Sequence, residues 1–237
     1  MRKFLLIISL FILFGCQTTG RHIFNPTGYG NYFDDDWNET FYASDRLPSL
    51  KSIQWIEEKN NKFLRFTLKD KDKGGAYTDQ KHRNGAPYHE RAEIKQRISL
   101  NKSKIYEINF SIRFIKGFNE YGENFFQLHQ STSQCRAPPL VMLESSGGTI
   151  YGLWDFKISE NKGKWINFNI ILDLINQRYS IKIDNKLFKE LNGFRKLLAK
   201  CSTPYVKIGI YRPGSQNFSR NLSIVDFDKF QIKEIKE

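Results

Sequence analysis

Three short stretches of this 237-residue chain place proton-moving or anion-holding side chains at every second position. In NFFQLHQ, Gln127 and His129 flank Leu128. Successive side chains of a strand point to opposite faces, so Gln127 and His129 share one face while Phe126 and Leu128 take the other. In HERAEIK, Ala92 and Ile94 suit a buried face, and Arg91, Glu93 and Lys95 share the open one. In VKIGIYR, Ile208 and Ile210 are the core residues, and Lys207, Gly209 and Tyr211 share the open face. A guanidinium, an amide, an imidazole and a phenol are groups from which anion binding and proton transfer are built. Gly209 adds to the pattern. Glycine weakens a strand unless something must approach its backbone, so floor space is expected beside Tyr211.

Each residue also has a plainer explanation. Arg91 and Glu93 can form an ion pair within a sheet. His129 alone fits a structural imidazole, and Tyr211 alone fits a packed aromatic. An ordinary solvated face, however, carries Thr, Ser, Lys and Glu in no special order. The joint pattern is what singles out these strands.

The elements that must position these groups are almost all strands. SIQWIEE and KFLRFTLKD flank a Lys-Asn-Asn turn and read as a hairpin. RAEIKQRISL, KIYEINFSIRFI, NFFQLHQ, PLVMLES, TIYGLWDFKI, KWINFNIILDL, RYSIKID, YVKIGIYR and LSIVDFDKFQIKEI follow, separated by Gly, Asn, Asp, Ser or Lys clusters. Only GFRKLLAK, residues 193 to 200, reads as a helix, and no internal repeat occurs. Many antiparallel strands within one domain's length predict an all-β fold, a concanavalin-like β-jelly roll of two sheets with one concave face. Trp154 and Trp165 have two readings, a platform that stacks on a ligand's rings and packing in the core-like strands where they fall, of which packing is the one expected.

The N-terminus predicts export. Arg2 and Lys3 precede an apolar run from Phe4 to Phe14 that is short for a bilayer span and ends Leu-Phe-Gly-Cys. This ending resembles the lipobox of bacterial lipoproteins. The resemblance implies lipidation of Cys16 and, with Gln17 next, the outer membrane. Residues 1 to 15 are then a signal peptide, 16 to 36 a tether and irregular lead-in, and 37 to 237 one domain. Removing Arg2 and Lys3 lowers the formal charge from +12 to +10. That excess favours polyanions: nucleic acid, anionic membrane or acidic polysaccharide. It is equally what a generally Lys-rich surface gives. The exported start argues against nucleic acid. The two remaining cysteines, Cys135 and Cys201, are expected to pair in an oxidising compartment, which would add roughly 4 kcal/mol by closing a long loop. No metal-ligand spacing occurs, so no metal site is expected.

The three strands resemble a known enzyme group. Alginate lyases of polysaccharide lyase family 7 carry Arg-x-Glu-Leu, then Gln-x-His, then Tyr-x-Lys-x-Gly-x-Tyr. Arg91-Ala92-Glu93-Ile94 is similar to the first, with Ile for Leu. Gln127-Leu128-His129 matches the second, and Tyr205-Val206-Lys207-Ile208-Gly209-Ile210-Tyr211 matches the third at every fixed position. Between them, GLWDFKIS, GKWINFNIILDL and YSIKIDNKLF look more like the glucuronan lyases and heparin-lyase-I-like proteins of the same architecture. The resemblance covers most of residues 40 to 235.

It implies β-elimination at a uronic acid in alginate, glucuronan or a heparin-like chain. A base takes the C5 proton, the C4–oxygen bond breaks, and an unsaturated sugar end forms. Because the carboxylate beside C5 is already negative, the site must stabilise a further developing charge. The resemblance assigns that task to Arg91 and Gln127. It makes His129 or Tyr211 the base, with Tyr211 the acid that protonates the leaving oxygen. A tyrosine serves only if its pKa falls, and Arg91, Lys207 and Arg212 are expected to lower it. Glu93 would hold Arg91. Lys95, Lys207, Arg212, Arg136 and His89 would line subsites for the polyanion. No cofactor is implied, with a structural calcium ion left open, and a monomer is expected. One rival, a jelly-roll glycoside hydrolase, needs a carboxylate pair and the run Glu-x-Asp-x-x-Glu, which the chain lacks. The other is a non-catalytic lectin-like lipoprotein, which would not require this set of Gln, His and Tyr.

Overall fold

The computed structural model describes residues 41–43, 49, 51–72, 89–96, 99–119, 122–130, 137–191, 203–214 and 222–235. The signal and tether segments, the expected helix over 193–200, Arg136, and Cys16, Cys135 and Cys201 lie outside the described residues.

Two seven-stranded antiparallel sheets make up the fold. The first runs β1 (Phe41–Ala43), β4 (Glu90–Gln96), β13 (Tyr205–Arg212), β6 (Asn124–His129), β7 (Val141–Ser146), β8 (Thr149–Ile150) and β9 (Leu153–Lys157). The second runs β12 (Lys186–Leu191), β11 (Arg178–Ile183), β10 (Ile166–Asp173), β5 (Ile105–Lys116), β14 (Ser223–Ile235), β3 (Asn61–Leu68) and β2 (Ile53–Glu58). This is the expected jelly roll, and local chemistry explains its hairpins. Lys59 and Asn60 both take positive φ between β2 and β3, as do Asp184 and Asn185 between β11 and β12. Two-residue turns of that kind match the twist of the flanking strands.

The apolar positions of each strand meet between the sheets. The Phe110 ring of β5 stacks on Phe168 of β10 at 5.1 Å and on Phe126 of β6 at 5.7 Å, joining the layers. Ala92, Ile94, Val206, Ile208, Ile210, Phe126 and Leu128 are all buried there. Strict alternation fails at one place that matters. The β6–β7 and β6–β13 registers both slip near Asn124–Phe126, and Phe125 turns inward against Phe114 at 5.2 Å. A bulge thus sends two consecutive phenylalanines into the core.

Three further expectations are corrected. TIYGLWDFKI is two strands, not one: Ile150 pairs with Leu153, and Gly152 turns the chain with φ +76. Trp154 does not pack in the core but is 53 % exposed, and Trp165, half-buried just before β10, lies edge-on to Phe63 at 5.3 Å and beneath Arg113 at 4.7 Å, apart from the core between the sheets. Gly209 does not open floor space beside Tyr211. With φ +128, a Cβ there would lie 2.3 Å from the Ala92 carbonyl oxygen and 2.8 Å from the Phe66 ring. The close approach is therefore between β13, β4 and the opposing sheet. Gly209→Ala is expected to destabilise the fold by about 2–4 kcal/mol, from backbone strain plus overpacking. A urea midpoint equal to wild type would contradict that tight contact.

Candidate active site

β4, β13 and β6 are far apart in sequence but adjacent in the first sheet, and their register brings the polar positions together. Arg91 faces Tyr211, Glu93 faces Gly209, and Lys95 faces Lys207. Lys207 in turn pairs with Gln127, and Tyr205 with His129. The face they form is not solvated: Arg91, Glu93, Gln127 and Lys207 expose 8, 2, 3 and 6 % of their surfaces. In such a poorly hydrated place, charge interactions are stronger than in water.

Glu93 is the hub. Its Oε1 accepts a hydrogen bond from Gln127 Nε2 at 2.7 Å, and its Oε2 lies 3.3 Å from Arg91 Nη1 and 3.5 Å from Lys207 Nζ. One carboxylate therefore orients the guanidinium, the amide and an ammonium together. The Arg91 guanidinium also lies over the Tyr211 ring, 4.9 Å from its centroid.

Two histidine–tyrosine pairs flank this hub. Tyr211 Oη is 2.8 Å from His89 Nδ1, with the rings stacked at 5.7 Å. The Gly214 backbone N–H also points at that nitrogen, at 3.0 Å. An amide N–H can only donate, so Nδ1 carries the lone pair and the Tyr211 hydroxyl donates to it. His89 is thus positioned to draw on the Tyr211 proton. Across the sheet, Tyr205 Oη is 3.4 Å from His129 Nδ1, with rings stacked at 5.4 Å. Lys95 Nζ lies 5.9 Å over the Tyr205 ring.

A groove of about 360 Å³ on the second sheet offers no rival to this cluster. It is lined by Asn109, Ser111, Asn167, Asn169, Lys229 and Gln231 among others, and none of the described residues that line it is a histidine, tyrosine, aspartate or glutamate.

No family profile and no curated protein matches the chain. Solved structures do. An endo-β-1,4-glucuronan lyase from the fungus Trichoderma reesei aligns over 88 % of this chain and 95 % of its own, at 11 % identity and TM-score 0.54. An alginate lyase from Corynebacterium sp. aligns over 79 % and 82 %, at 13 % identity and TM-score 0.52. The family 7 alginate lyase A1-II', in complex with substrate, aligns over 76 % and 81 %, at 13 % identity and TM-score 0.51.

The fold is that of the β-jelly-roll polysaccharide lyases.

On this lyase fold, most of the residues singled out in the sequence share one face of one sheet. Arg212 is the exception. It follows Tyr211 directly, so its side chain leaves by the opposite face. There it is 2 % exposed, with Nη1 2.9 Å from Glu90 Oε2, Nε 3.0 Å from Glu123 Oε1 and Nη2 2.6 Å from Ser223 Oγ. Arg212 is thus a buried structural cation and not a subsite residue. Tyr205, which the third motif includes without a role, meets His129, and His89, expected to line a subsite, meets Tyr211 instead. Parity puts residues 89, 91, 93 and 95 on one face of their strand and 205, 207 and 211 on one face of theirs, whereas the two contacts follow only from β13 lying between β4 and β6.

Burial is the main cause that pushes the His129 pKa down to about 3 from 6.5, with Lys207, Arg91 and Lys95 adding repulsion. The imidazole is therefore neutral at ordinary pH. The unfolded chain takes up a proton at pH 6.5 and the folded one does not, so this stabilisation is complete above 6.5 and lost as pH falls towards 3. His129→Gln is expected to flatten the fall of Tm across that window. Parallel Tm curves for variant and wild type would contradict it.

Proposed function

We propose that this protein is a polysaccharide lyase that cleaves a uronic-acid-containing polymer by β-elimination. The observation that carries the reading is the single contact network in which Arg91, Gln127 and Lys207 meet at Glu93 while Tyr211 stacks under Arg91 and bonds to His89. The glucuronan and alginate lyase likenesses support the architecture in which such chemistry occurs.

In this reading the sugar carboxylate docks at Arg91 and Gln127, which take up the charge that grows as the C5 proton leaves. Electrons from the C5–H bond form the new double bond, and the C4–oxygen pair leaves with the oxygen. Tyr211 returns a proton to that oxygen. The base is His129 if the C5 proton lies across the ring from the leaving oxygen, and Tyr211 if it lies on the same side, with His89 drawing off the phenol proton. Burial is the larger cause of the low His129 basicity, and a bound anion offsets the smaller part contributed by Lys207, Arg91 and Lys95. Lys95 and Lys207 hold neighbouring carboxylates. The same proposal has the chain exported, anchored through lipidated Cys16 and working alone on its polymer. The N-terminal sequence supports the anchor.

The test is ultraviolet absorbance of the unsaturated product on alginate, glucuronan and heparin-type chains. A rise on at least one is expected. No rise on any of them, with binding retained, would replace the lyase by a lectin-like module.

A further inference from the structure

The β8–β9 hairpin carries two large exposed aromatic side chains, Tyr151 in its turn and Trp154 on β9. Tyr151 and Trp154 are 51 % and 53 % exposed, with ring centroids 5.2 Å apart and planes at 79°. Their neighbours Ile150, Leu153 and Phe156 fill the inner positions, so the hairpin needs neither ring for packing. Exposed paired aromatics on an otherwise polar surface mark a place where something binds.

The position of this pair relative to the site is set by hydrogen-bond register. Arg91 pairs with Tyr211, Tyr211 with Asn124, and Asn124 with Glu144. The Tyr151 N–H donates to the Glu144 carbonyl at 2.8 Å. Tyr151 thus continues the row that contains Tyr211. The separation is three strand spacings, roughly 14 Å. A recess of about 190 Å³ beside the turn is lined by Glu144, Tyr151 and Leu153 of the first sheet and by Tyr179, Ile181 and Lys189 of the second, so it opens at the edge between the two sheets.

Charge selects the occupant. Lys189 reaches over the turn so closely that a Cβ on Gly152 would lie 2.5 Å from its Nζ. Lys157 is exposed on β9, and Lys186 Nζ sits 5.0 Å over the Phe188 ring beside Phe156. An aromatic platform takes the apolar face of a pyranose, an ammonium takes its carboxylate, and Glu144 accepts hydroxyls from a unit lying between.

We propose that Tyr151, Trp154 and Lys189 form a remote saccharide subsite that holds a uronate-bearing unit of the polymer beyond the acid–base cluster. The identity of the polymer rests on the lyase reading, whereas the binding does not require turnover.

Calorimetric titration of Tyr211→Phe protein with oligouronates of increasing length tests it, because no cleavage consumes the ligand. Affinity should rise with length, and adding Trp154→Ala should remove that rise, weakening the longest oligomers by roughly tenfold. Lys189→Gln, a change that empties no core position, should weaken the same long oligomers and leave the shortest unaffected. Equal affinity with and without Trp154 and Lys189 would overturn the subsite. So would a Trp154→Ala change that shifts only the oligomeric state, which would make the patch a contact between copies. If wild type cleaves no uronate polymer yet length-dependent binding needs Trp154, the chemistry falls and the subsite stands. Cleavage with no dependence on Trp154 gives the converse.

Discussion

Tyr211→Phe is expected, on the proposed lyase reading, to lower turnover by roughly 10³-fold, or about 4 kcal/mol in the barrier. The substitution is narrow. The phenyl ring keeps its stack on His89 and its place under the Arg91 guanidinium. Only the hydroxyl goes, and with it the proton that the leaving oxygen needs. No buried group is orphaned, because His89 Nδ1 still receives the Gly214 N–H. The melting temperature should therefore stay within a degree or two of wild type, at the scale of a lost exposed contact. Initial rates followed by product absorbance, with Tm measured on the same sample, make the comparison. Retained activity would remove Tyr211 from the proton path. A large fall in Tm would mean that the hydroxyl is structural.

Glu93→Ala should act the other way, on stability first. The carboxylate is 2 % exposed and stands against two cations, Arg91 and Lys207, that are themselves 8 % and 6 % exposed. Removing it leaves two like charges in a dry place and deprives the Gln127 amide of its acceptor. Breaking a buried ion pair from one side costs about 3–5 kcal/mol, which for a chain of this size is roughly 10 °C in Tm. Glu93→Gln keeps the shape and an acceptor oxygen, so its loss should be smaller. The order wild type, Glu93→Gln, Glu93→Ala in thermal unfolding is the check. Equal Tm values for all three would show that the cations are held by something else. One carboxylate serves three donors, two of them cations, so the cluster carries an excess of positive charge that, on the proposed reading, an anionic sugar would balance.

Much of this was readable from local pattern. Turns at Lys59–Asn60 and Asp184–Asn185, the run of strands, and the pairing of core with polar positions in β4, β6 and β13 all follow from residue type and spacing. The errors share a cause. TIYGLWDFKI is apolar enough to read as one strand, and only Gly152 in a left-handed conformation breaks it. Trp154 looks like core by composition, yet the inner positions of that hairpin are already filled by Leu153 and Phe156. Arg212 looks like a subsite cation until parity is applied to it as strictly as to Tyr211. Gly209 was noticed for the right reason, a close approach, but the approaching atoms belong to Ala92 and Phe66.

By itself the sequence determined which side chains share a face within each strand, because that depends only on a period of two and on residues that are neighbours in the chain. It could not determine which strands lie side by side. Gln127 meets Glu93 across 34 residues, and Tyr211 meets His89 across 122. Those neighbours are chosen by how the fourteen strands of the described residues together bury one apolar layer, a choice spread over the whole core. Register slips such as those at Asn124–Phe126 arise from the same collective fit. Tertiary structure therefore decided that an imidazole would sit against the phenol, that one carboxylate would hold three donors, and that Trp154 would be left in the open.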